Sequence, residues 1–597
     1  MLRDVGGVLL GVCLSGGTLA AGAALQGERA RWQPVTLTFD GPRTSESATP
    51  NPFRDYRLNV TFRHAASGKA VTVPGYFAAD GNAAETSARE GSKWRVRFLP
   101  DTEGEWRYRV SFRTGPDVAL SPDAGAGRPA AFDGQSGSFR VRAADQKAAG
   151  FHRKGLLEYA GGHHFRFAGT GEYFLKGGAD SPENFLAYEE FDDTYDADAD
   201  SGSYKAVGTF IHRYAPHVKD WQPGDPSWRG GKGKGIIGAL NYLASKGVNS
   251  VYFLTYNLDG GDGRDTWMWT DAKTRDRFDV SKLEQWEIVF SHMDRKGLML
   301  HVVTQETEND DKLGGFGLTP LRKLYLRELC ARFSHHLALI WNLGEENDTP
   351  DPDRKEIARY IRSLDACRHP ITVHSHNNRQ EQTYAGLYGD PFFEATSIQG
   401  RMENYNADAI LFRRLSAQAG RKWAVFGDEQ PPASIGVMPD EADPDHDVPR
   451  VHALWGNLIG GGSGVEWYFG SKYPHMDINL EDFRSRDRLW DQTRHALEFF
   501  RRHLPFWEMA PDNGLATGAK DARVLARGED IYAVQLPAGG EASLRLGPGD
   551  YRIQWYNPRT GGELQWGSVR SAKGPGIRPI GLPPAEGDRD WVALVRR

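Results

Sequence analysis

The sequence predicts an α/β protein in which a (β/α)8 barrel, the TIM-barrel fold, lies between two antiparallel β-sandwiches. Three observations support this prediction. Residues 27–143 alternate apolar and polar side chains with period two, residues 171–505 alternate apolar runs with helical patterns, and residues 512–597 return to period two. Period two is typical of a strand with one buried face, whereas buried runs separated by amphipathic helices indicate a parallel sheet.

Composition excludes several classes of protein. Of the 597 residues, 39% are hydrophobic and 25% are charged, so the chain can bury a large core and is not a disordered protein. The formal net charge is -6 and no long basic run is present, which argues against a nucleic-acid or anionic-lipid partner. With three cysteines the chain is not a disulfide scaffold.

Residues 1–24 are predicted to be a secretory signal peptide. Arg3 precedes an apolar, glycine-rich stretch, and the small residues Ala21, Gly22 and Ala23 fit a cleavage site near Ala23. We therefore expect a secreted or periplasmic protein. No later apolar run approaches about 20 residues, so no membrane span is predicted.

The N-terminal sandwich is predicted over residues 27–143. The runs 94–98, 106–112 and 139–142 alternate strictly, and turn-forming clusters such as 101–104 separate them. Such short alternating strands favour an antiparallel, immunoglobulin-like sandwich. Residues 144–170 are interpreted as a linker, and residues 512–597 as a second small sandwich.

Eight apolar runs between residues 171 and 505 are the predicted barrel strands. In order, they are Tyr173–Gly177, Ser250–Tyr256, Leu298–Val303, Leu337–Leu343, Ile371–Ser375, Ala395–Gln399, Trp423–Gly427 and Gly464–Phe469. Helical patterns lie between them, and the span fits TIM barrels, which extend over about 200 to more than 400 residues.

The active site of a TIM barrel lies at the C-terminal ends of its strands. The candidate substrate-binding residues are therefore the polar and aromatic residues at those ends: Asn257, Asp259, Trp267, Trp269, Gln305, Glu306, Glu345, Asn347, His374, His376, Gln399, Asp428 and Trp467. Carboxylates and amides bind hydroxyl groups, and aromatic faces stack on sugar rings. The set is typical of a site for a polysaccharide or oligosaccharide. We expect the tryptophan rings to line the barrel mouth.

Glu346 and Glu429 are the candidate catalytic pair. They follow strands 4 and 7, on roughly opposite sides of the predicted mouth. Glycoside cleavage needs one carboxyl group to protonate the leaving oxygen and another to attack the sugar or to activate water. Because adjacent side chains on a strand point to opposite faces, we expect Glu346 to face the cavity and Glu345 to turn away.

The motifs around these two glutamates resemble the retaining glycoside hydrolases of the large (β/α)8 clan A. The run WNLGEEN (Trp341–Asn347) and the run FGDEQ (Phe426–Gln430) carry the resemblance. In that clan the acid/base glutamate ends strand 4, usually after Asn, and the nucleophile ends strand 7. The resemblance implies Glu346 as acid/base and Glu429 as nucleophile. Glu345 occupies the usual Asn position, and it remains the alternative acid.

Longer segments resemble a family of secreted bacterial proteins described as glycosidases. These segments are Asn184–Asp198, His212–Trp228, Gly233–Gly263 and Leu300–Asp310. Members have an N-terminal sandwich of unknown function and a C-terminal module labelled collagen-binding, which WYNPRTGG (Trp555–Gly562) resembles. The resemblance covers nearly the whole mature chain and implies a glycosidase, but it does not specify the glycan.

Two alternatives to a hydrolase remain at this stage. One is a carbohydrate-binding or surface protein without activity, and the other is a polysaccharide lyase. No cofactor or metal is expected; the acidic run Asp196–Asp200 resembles a calcium loop, but it lacks the expected glycine and glutamate positions, and a solvated loop is favoured. The oligomeric state stays open.

Overall fold

The computed structural model describes residues 23–197, 211–258 and 265–597, and its architecture is the predicted barrel with flanking β domains. Most of the predicted signal segment lies outside the described residues. Its last two residues, Ala23 and Ala24, pair with Phe39 and Thr38 in the first two strands.

Two antiparallel sheets form the N-terminal domain, in the orders β1-β2-β6-β5 and β4-β3-β7-β8, with β9 against β7. Phe62 of one sheet stacks on Phe98 of the other, with ring centroids 4.1 Å apart, so the two inner faces share one core. The elements are β1 (Ala23–Gln26), β2 (Val35–Ser45), β3 (Tyr56–His64), β4 (Ala70–Pro74), β5 (Tyr76–Phe77), α1 (Ala83–Thr86), β6 (Glu90–Phe98), β7 (Gly104–Thr114), β8 (Arg128–Pro129) and β9 (Ser136–Val141).

The segment interpreted as a linker has structure of its own. It contains α2 (Phe151–Lys154) and a hairpin of β10 (Leu157–Tyr159) and β11 (Phe165–Phe167). Phe165 and Phe167 are buried in a cluster with residues from the starts of the barrel strands, among them Met299 and Phe426. The hairpin therefore closes the N-terminal end of the barrel.

The barrel is a parallel sheet of nine segments that close into eight strands. Its order is β16-β15-β14-β13-β12-β20-β19-β18-β17, and β16 and β17 are halves of one strand interrupted only at Val373. The strands are β12 (Lys176–Ala179), β13 (Ser250–Leu254), β14 (Met299–Val303), β15 (Leu339–Asn342), β16 (Ile371–Thr372), β17 (His374–Ser375), β18 (Ala395–Gln399), β19 (Ala424–Glu429) and β20 (Gly464–Trp467).

Helices surround this sheet and bury apolar faces against it. They are α3 (Lys234–Ser245), α4 (Val280–Lys296), α5 (Pro320–Phe333), α6 (Asp351–Leu364), α7 (Gln380–Ala385), α8 (Tyr405–Gln418), α9 (Trp455–Ile459) and α10 (Asp487–His503). Caps define some of their starts: the Thr319 side chain accepts a hydrogen bond from the Arg322 N–H, with Pro320 at the first helical position.

The C-terminal domain is all-β, and its seven strands form one continuous antiparallel sheet. The long strand β25 pairs with β27 along its second half, with β22 near its start, and with β26 along its other edge. The strands are β21 (Ala510–Pro511), β22 (Ala516–Thr517), β23 (Arg523–Arg527), β24 (Ile531–Leu536), β25 (Ala542–Tyr556), β26 (Ser571–Gly581) and β27 (Trp591–Arg596).

None of the helices in the described part of the chain has the length and apolar character that crossing a bilayer requires.

The hairpin under the barrel gives a stability prediction. Phe165 is 1% exposed and its ring centroid lies 5.7 Å from that of Phe426. Phe165→Ala should therefore cost about 3–5 kcal/mol through lost burial and a residual cavity, and lower the melting temperature by several degrees. Phe316→Ala is the control, because Phe316 is 40% exposed and should be nearly neutral. Equal melting temperatures for the two variants would contradict this role of the hairpin.

Candidate active site

Several buried carboxylates and two histidines meet at the C-terminal mouth of the barrel. Glu345 follows β15, Glu429 ends β19, and His374 begins β17; their exposed fractions are 2%, 2% and 0%. One oxygen of each carboxylate and one ring nitrogen of His374 lie within 4.8 Å of one another. His374 thus lies between the two carboxylates, with Nδ1 3.5 Å from Glu345 and Nε2 3.4 Å from Glu429.

The orientation of the two adjacent glutamates differs from the sequence-based expectation. It was expected that Glu346 would face the cavity, but Glu345 is the one that lies against His374 and Glu429. The physical reason is that β15 ends at Asn342, so strand alternation no longer applies. Gly344, at a φ of +153°, and Glu346, at +38°, turn the chain sharply. A Cβ on Gly344 would lie 2.7 Å from the Asn347 amide, so glycine is needed there.

Glu346 lies at the rim of the mouth, with 30% of its side chain exposed. Its Oε2 is 3.4 Å from Nδ1 of His376. The other ring nitrogen of His376, Nε2, lies 3.0 Å from Oδ1 of Asp348. A hydrogen bond with Gln399 further stabilises the Glu346 carboxylate. Gln399 in turn donates to Glu429 Oε2 at 2.5 Å, so this amide connects both glutamates.

The environments of the two neighbours separate their pKa values. Burial raises the pKa of Glu345 well above its usual range, and the charges of Glu429 and Glu346 raise it further. Burial also raises the pKa of Glu346, but the contact with His376 and the bond from Gln399 outweigh it, and the net pKa is lowered. Burial lowers the pKa of His374 to about 4, so that ring is neutral at neutral pH. Glu345 is therefore the carboxyl group suited to carry a proton.

A buried ion cluster lies inside the barrel, beneath these residues. Lys176 on β12 donates to Asp428 on β19 and, at 2.9 Å, to Glu466 on β20; all three side chains are fully buried. Glu466 also accepts from His301 at 2.7 Å and from Ser250. Asp428, a candidate substrate-binding residue, therefore pairs inside the barrel and supports Glu429 from below.

Asp180 and Glu183, which sequence reasoning missed, also lie at the mouth. They follow β12 and are 0% and 1% exposed. An oxygen of Glu183 lies within 4.8 Å of oxygens of Glu306 and Glu345. The predicted first strand ended at Gly177, whereas β12 ends at Ala179. With the strand end two residues later, the rule used for the other strands would have selected both residues.

The tryptophans do not form the expected sugar platform. Trp267, Trp269 and Trp467 are 1%, 0% and 0% exposed. Trp467 turns outward, and its Nε1 donates to Thr493 on α10 at 2.9 Å. Trp269 packs edge-on against Tyr256, and Trp267 lies under the Lys282 ammonium. Their apolar area stabilises the packing of helices and loops on the sheet, so this expectation was wrong.

Three of the predicted polar residues contribute to loop structure. Gln305 accepts from Arg322 and donates to Asp310, and Asn347 donates to Asp310 and accepts from Arg354. Asn257 accepts from Asn309. Asp259 lies outside the described residues, as do Asp198 and Asp200 of the acidic run.

A divalent cation would find one oxygen-only set of ligands here. Glu183, Glu306 and Glu345 are close enough together to share an ion, whereas the sets around His374 and His301 include a ring nitrogen. A cavity of about 420 Å³ lies elsewhere, at the opposite end of the barrel against the N-terminal domain, and is lined by Trp32, Trp106 and Arg362 among others. It contains none of the mouth carboxylates.

Residues 28–113 match a family model described as a domain of unknown function, DUF5060. This match covers most of the N-terminal domain and assigns no activity. A comparison with curated proteins found no match.

Solved structures share the fold. A crystal structure described as a proposed glycoside hydrolase from Bacteroides vulgatus superposes with a TM-score of 0.62 and 16% identity, over 95% of this chain and 99% of that one. A second structure, described as a glycoside hydrolase, gives a TM-score of 0.54 at 15% identity over 75% of this chain and 98% of that one. A structure described as a glycoside hydrolase family 5 protein from Bacteroides vulgatus gives a TM-score of 0.52 at 14% identity. The match covers 74% of this chain and 93% of that one. The chain thus has a glycoside hydrolase-like barrel architecture.

The ion cluster under the mouth gives a second stability prediction. Lys176→Met leaves two buried carboxylates without their cation and should cost about 3–5 kcal/mol, measured as a lower melting temperature. Lys282→Met is the matched control: Lys282 is also buried, but it donates to the Asp193 carbonyl rather than to a carboxylate. Lys282→Met should therefore lower the free energy of unfolding by less than Lys176→Met does.

The pH dependence of the Lys176 effect has a defined sign. Burial alone would raise the pKa of Glu466, but Lys176 and His301 outweigh it and lower the pKa to about 2, below the ordinary 4.5. The contribution of Glu466 to stability is thus complete above pH 4.5 and is lost towards pH 2. The stability difference between wild type and Lys176→Met should be largest near neutrality and shrink across that window. A difference independent of pH would contradict the ion pairing.

Proposed function

We propose that the chain is a retaining glycoside hydrolase acting on a polysaccharide or oligosaccharide, with Glu429 as nucleophile and Glu345 as acid/base. The observation that carries this proposal is the pair itself: carboxylate oxygens of Glu345 and Glu429 within 4.8 Å at the barrel mouth. Retaining enzymes have carboxyl groups about 5–5.5 Å apart, whereas inverting enzymes leave about 6.5–9.5 Å for a water molecule. The short separation favours retention.

The reaction proceeds in two displacements. The Glu429 carboxylate attacks the anomeric carbon while protonated Glu345 gives its proton to the leaving oxygen, which yields a covalent glycosyl ester and a free alcohol. Glu345, now ionised, takes a proton from water, and that water attacks the anomeric carbon and releases Glu429. The Gln399 amide, which donates to Glu429 at 2.5 Å, holds the nucleophile for attack.

Glu345 is favoured over Glu346 as the acid on chemical grounds. A general acid must carry a proton at the working pH, and the raised pKa of Glu345 provides one. Glu346 has a lowered pKa through His376 and Gln399, and it is more exposed. This assignment shifts the acid by one residue from the one that the clan A motif implies. In this proposal Glu346 and His376, at the rim of the mouth, contact the aglycone.

The signal peptide predicted over residues 1–24 would deliver the enzyme to the periplasm or the exterior, where polysaccharides are found.

Removing the acid gives the decisive prediction. Glu345→Ala should retain hydrolysis of dinitrophenyl glycosides, because such leaving groups need little protonation, but lose about 10²- to 10⁴-fold on natural glycans. Added azide should rescue it and give a glycosyl azide with the substrate's own anomeric configuration, identified by NMR. The basic limb of the wild-type pH–rate profile should disappear in this variant, because it reports the titration of Glu345.

Glu346→Ala is the matched control at the neighbouring position. It should alter the KM for long substrates, keep the basic limb and show no azide product. If Glu346→Ala shows azide rescue while Glu345→Ala stays near wild type, the acid is Glu346. If wild type releases no reducing ends from any glycan or glycoside, the hydrolase proposal itself fails, and a binding protein becomes the better account.

A further inference from the structure

Asp180 and Glu183, here called the strand-1 carboxylates, face the same space as the proposed catalytic pair. The side chains are 0% and 1% exposed. An oxygen of Glu183 lies within 4.8 Å of one of Glu345, and the charges of Glu345 and Glu429 are the largest that act on Asp180. In a hydrolase that uses this pair, the strand-1 carboxylates would border the sugar bound there.

Three of the four oxygens of the strand-1 carboxylates lack a hydrogen-bond partner. Both oxygens of Asp180 and Oε2 of Glu183 accept no hydrogen bond, although all three atoms are buried. A native protein pairs nearly all of its buried polar atoms, so an unpaired group at a binding site points to a ligand atom that completes it. Once ionised, these oxygens need donors as partners, because an ionised carboxylate only accepts.

A cationic partner is what would let these two carboxyl groups ionise. Within the described residues no basic side chain forms an ion pair with Asp180 or Glu183, and the nearby Lys176 is held by Asp428 and Glu466. Burial raises the pKa of both carboxyl groups well above the usual range, and the charge of Glu345 raises both further, so the protonated form is favoured while the site is empty. Sugar hydroxyls would leave both groups protonated, whereas a cation would pair with the ionised form.

We propose that Asp180 and Glu183 form a subsite for a positively charged amino group on the glycone, so that the substrates are glycosides of amino sugars. This inference rests on the proposed function, because it identifies the subsite by its distance from Glu345 and Glu429. An ammonium group has three donors and a positive charge, so it can bond to more than one carboxylate oxygen. A divalent cation suits the site less well, since the set with the right spacing includes Glu345 and would hold that acid deprotonated.

The test compares sugars that differ only in one group. Calorimetry at pH 7 measures the binding of methyl 2-amino-2-deoxyhexosides, their N-acetyl derivatives and the parent hexosides in the gluco and galacto series. The free amine should bind roughly 100-fold more tightly than its hydroxyl and N-acetyl counterparts. Asp180→Asn and Glu183→Gln should each remove most of this preference. Asp408→Asn, at a part-buried carboxylate on α8, should keep it.

The outcomes separate this inference from the proposed hydrolase. Binding does not require turnover, so an amine preference without hydrolysis would keep the subsite and overturn the hydrolase. Hydrolysis of parent hexosides with no amine preference, or a preference that survives both strand-1 variants, would overturn the subsite alone. Stabilisation by CaCl2 that EDTA reverses and Glu183→Gln abolishes would assign these carboxylates to a metal and also overturn it.

Discussion

The arrangement of the barrel mouth depends on one buried ion cluster. Lys176 is fully enclosed and bonds Asp428 and Glu466, so one ammonium joins β12, β19 and β20 across the barrel interior. Three desolvated charges are tolerated only if each finds its partners, which makes the cluster intolerant of any slip in strand register. Asp428 directly precedes Glu429 on β19. The Ser397 hydroxyl of β18 donates a hydrogen bond to the Asp428 carboxylate at 2.7 Å. The cluster thereby fixes the strand end that presents the proposed nucleophile.

Several carboxylates crowd together above this cluster. Their charges, together with burial, give the adjacent residues Glu345 and Glu346 opposite pKa shifts. Glu345 and Glu346 are adjacent in sequence, yet Glu345 is buried among other carboxylates, whereas Glu346 contacts His376 and is partly exposed. The turn created by Gly344 and Glu346 separates them, and the left-handed φ of Glu346 costs about 1–3 kcal/mol. Backbone strain at such a turn is typical of functional sites, where the surrounding structure maintains it. The same crowding leaves the strand-1 carboxylates dependent on a ligand.

The sequence patterns predicted which segments form the barrel strands, but they predicted the residues at which the strands end less accurately. Seven of the eight barrel strands begin within two residues of their predicted starts, and Glu429, Gln399 and His374 follow from that placement alone. The first strand was predicted to end at Gly177 rather than at Ala179, and Asp180 was therefore missed. Periodicity does not reveal that β15 stops at Asn342, so the alternation rule oriented Glu345 wrongly. Trp467 was misassigned because an aromatic residue near a strand end has the same pattern whether it faces the mouth or a helix.

In the proposed mechanism a carboxylate on β19, that of Glu429, attacks the sugar and forms a covalent intermediate. A 2-deoxy-2-fluoro glycoside with a good leaving group slows release of that intermediate, so the labelled enzyme accumulates and can be digested for mass spectrometry. We expect one sugar per chain, attached to Glu429. Attachment to another carboxylate would contradict the nucleophile assignment. Turnover of an accepted glycoside to the inverted anomer, with no labelled enzyme, would contradict the retaining mechanism.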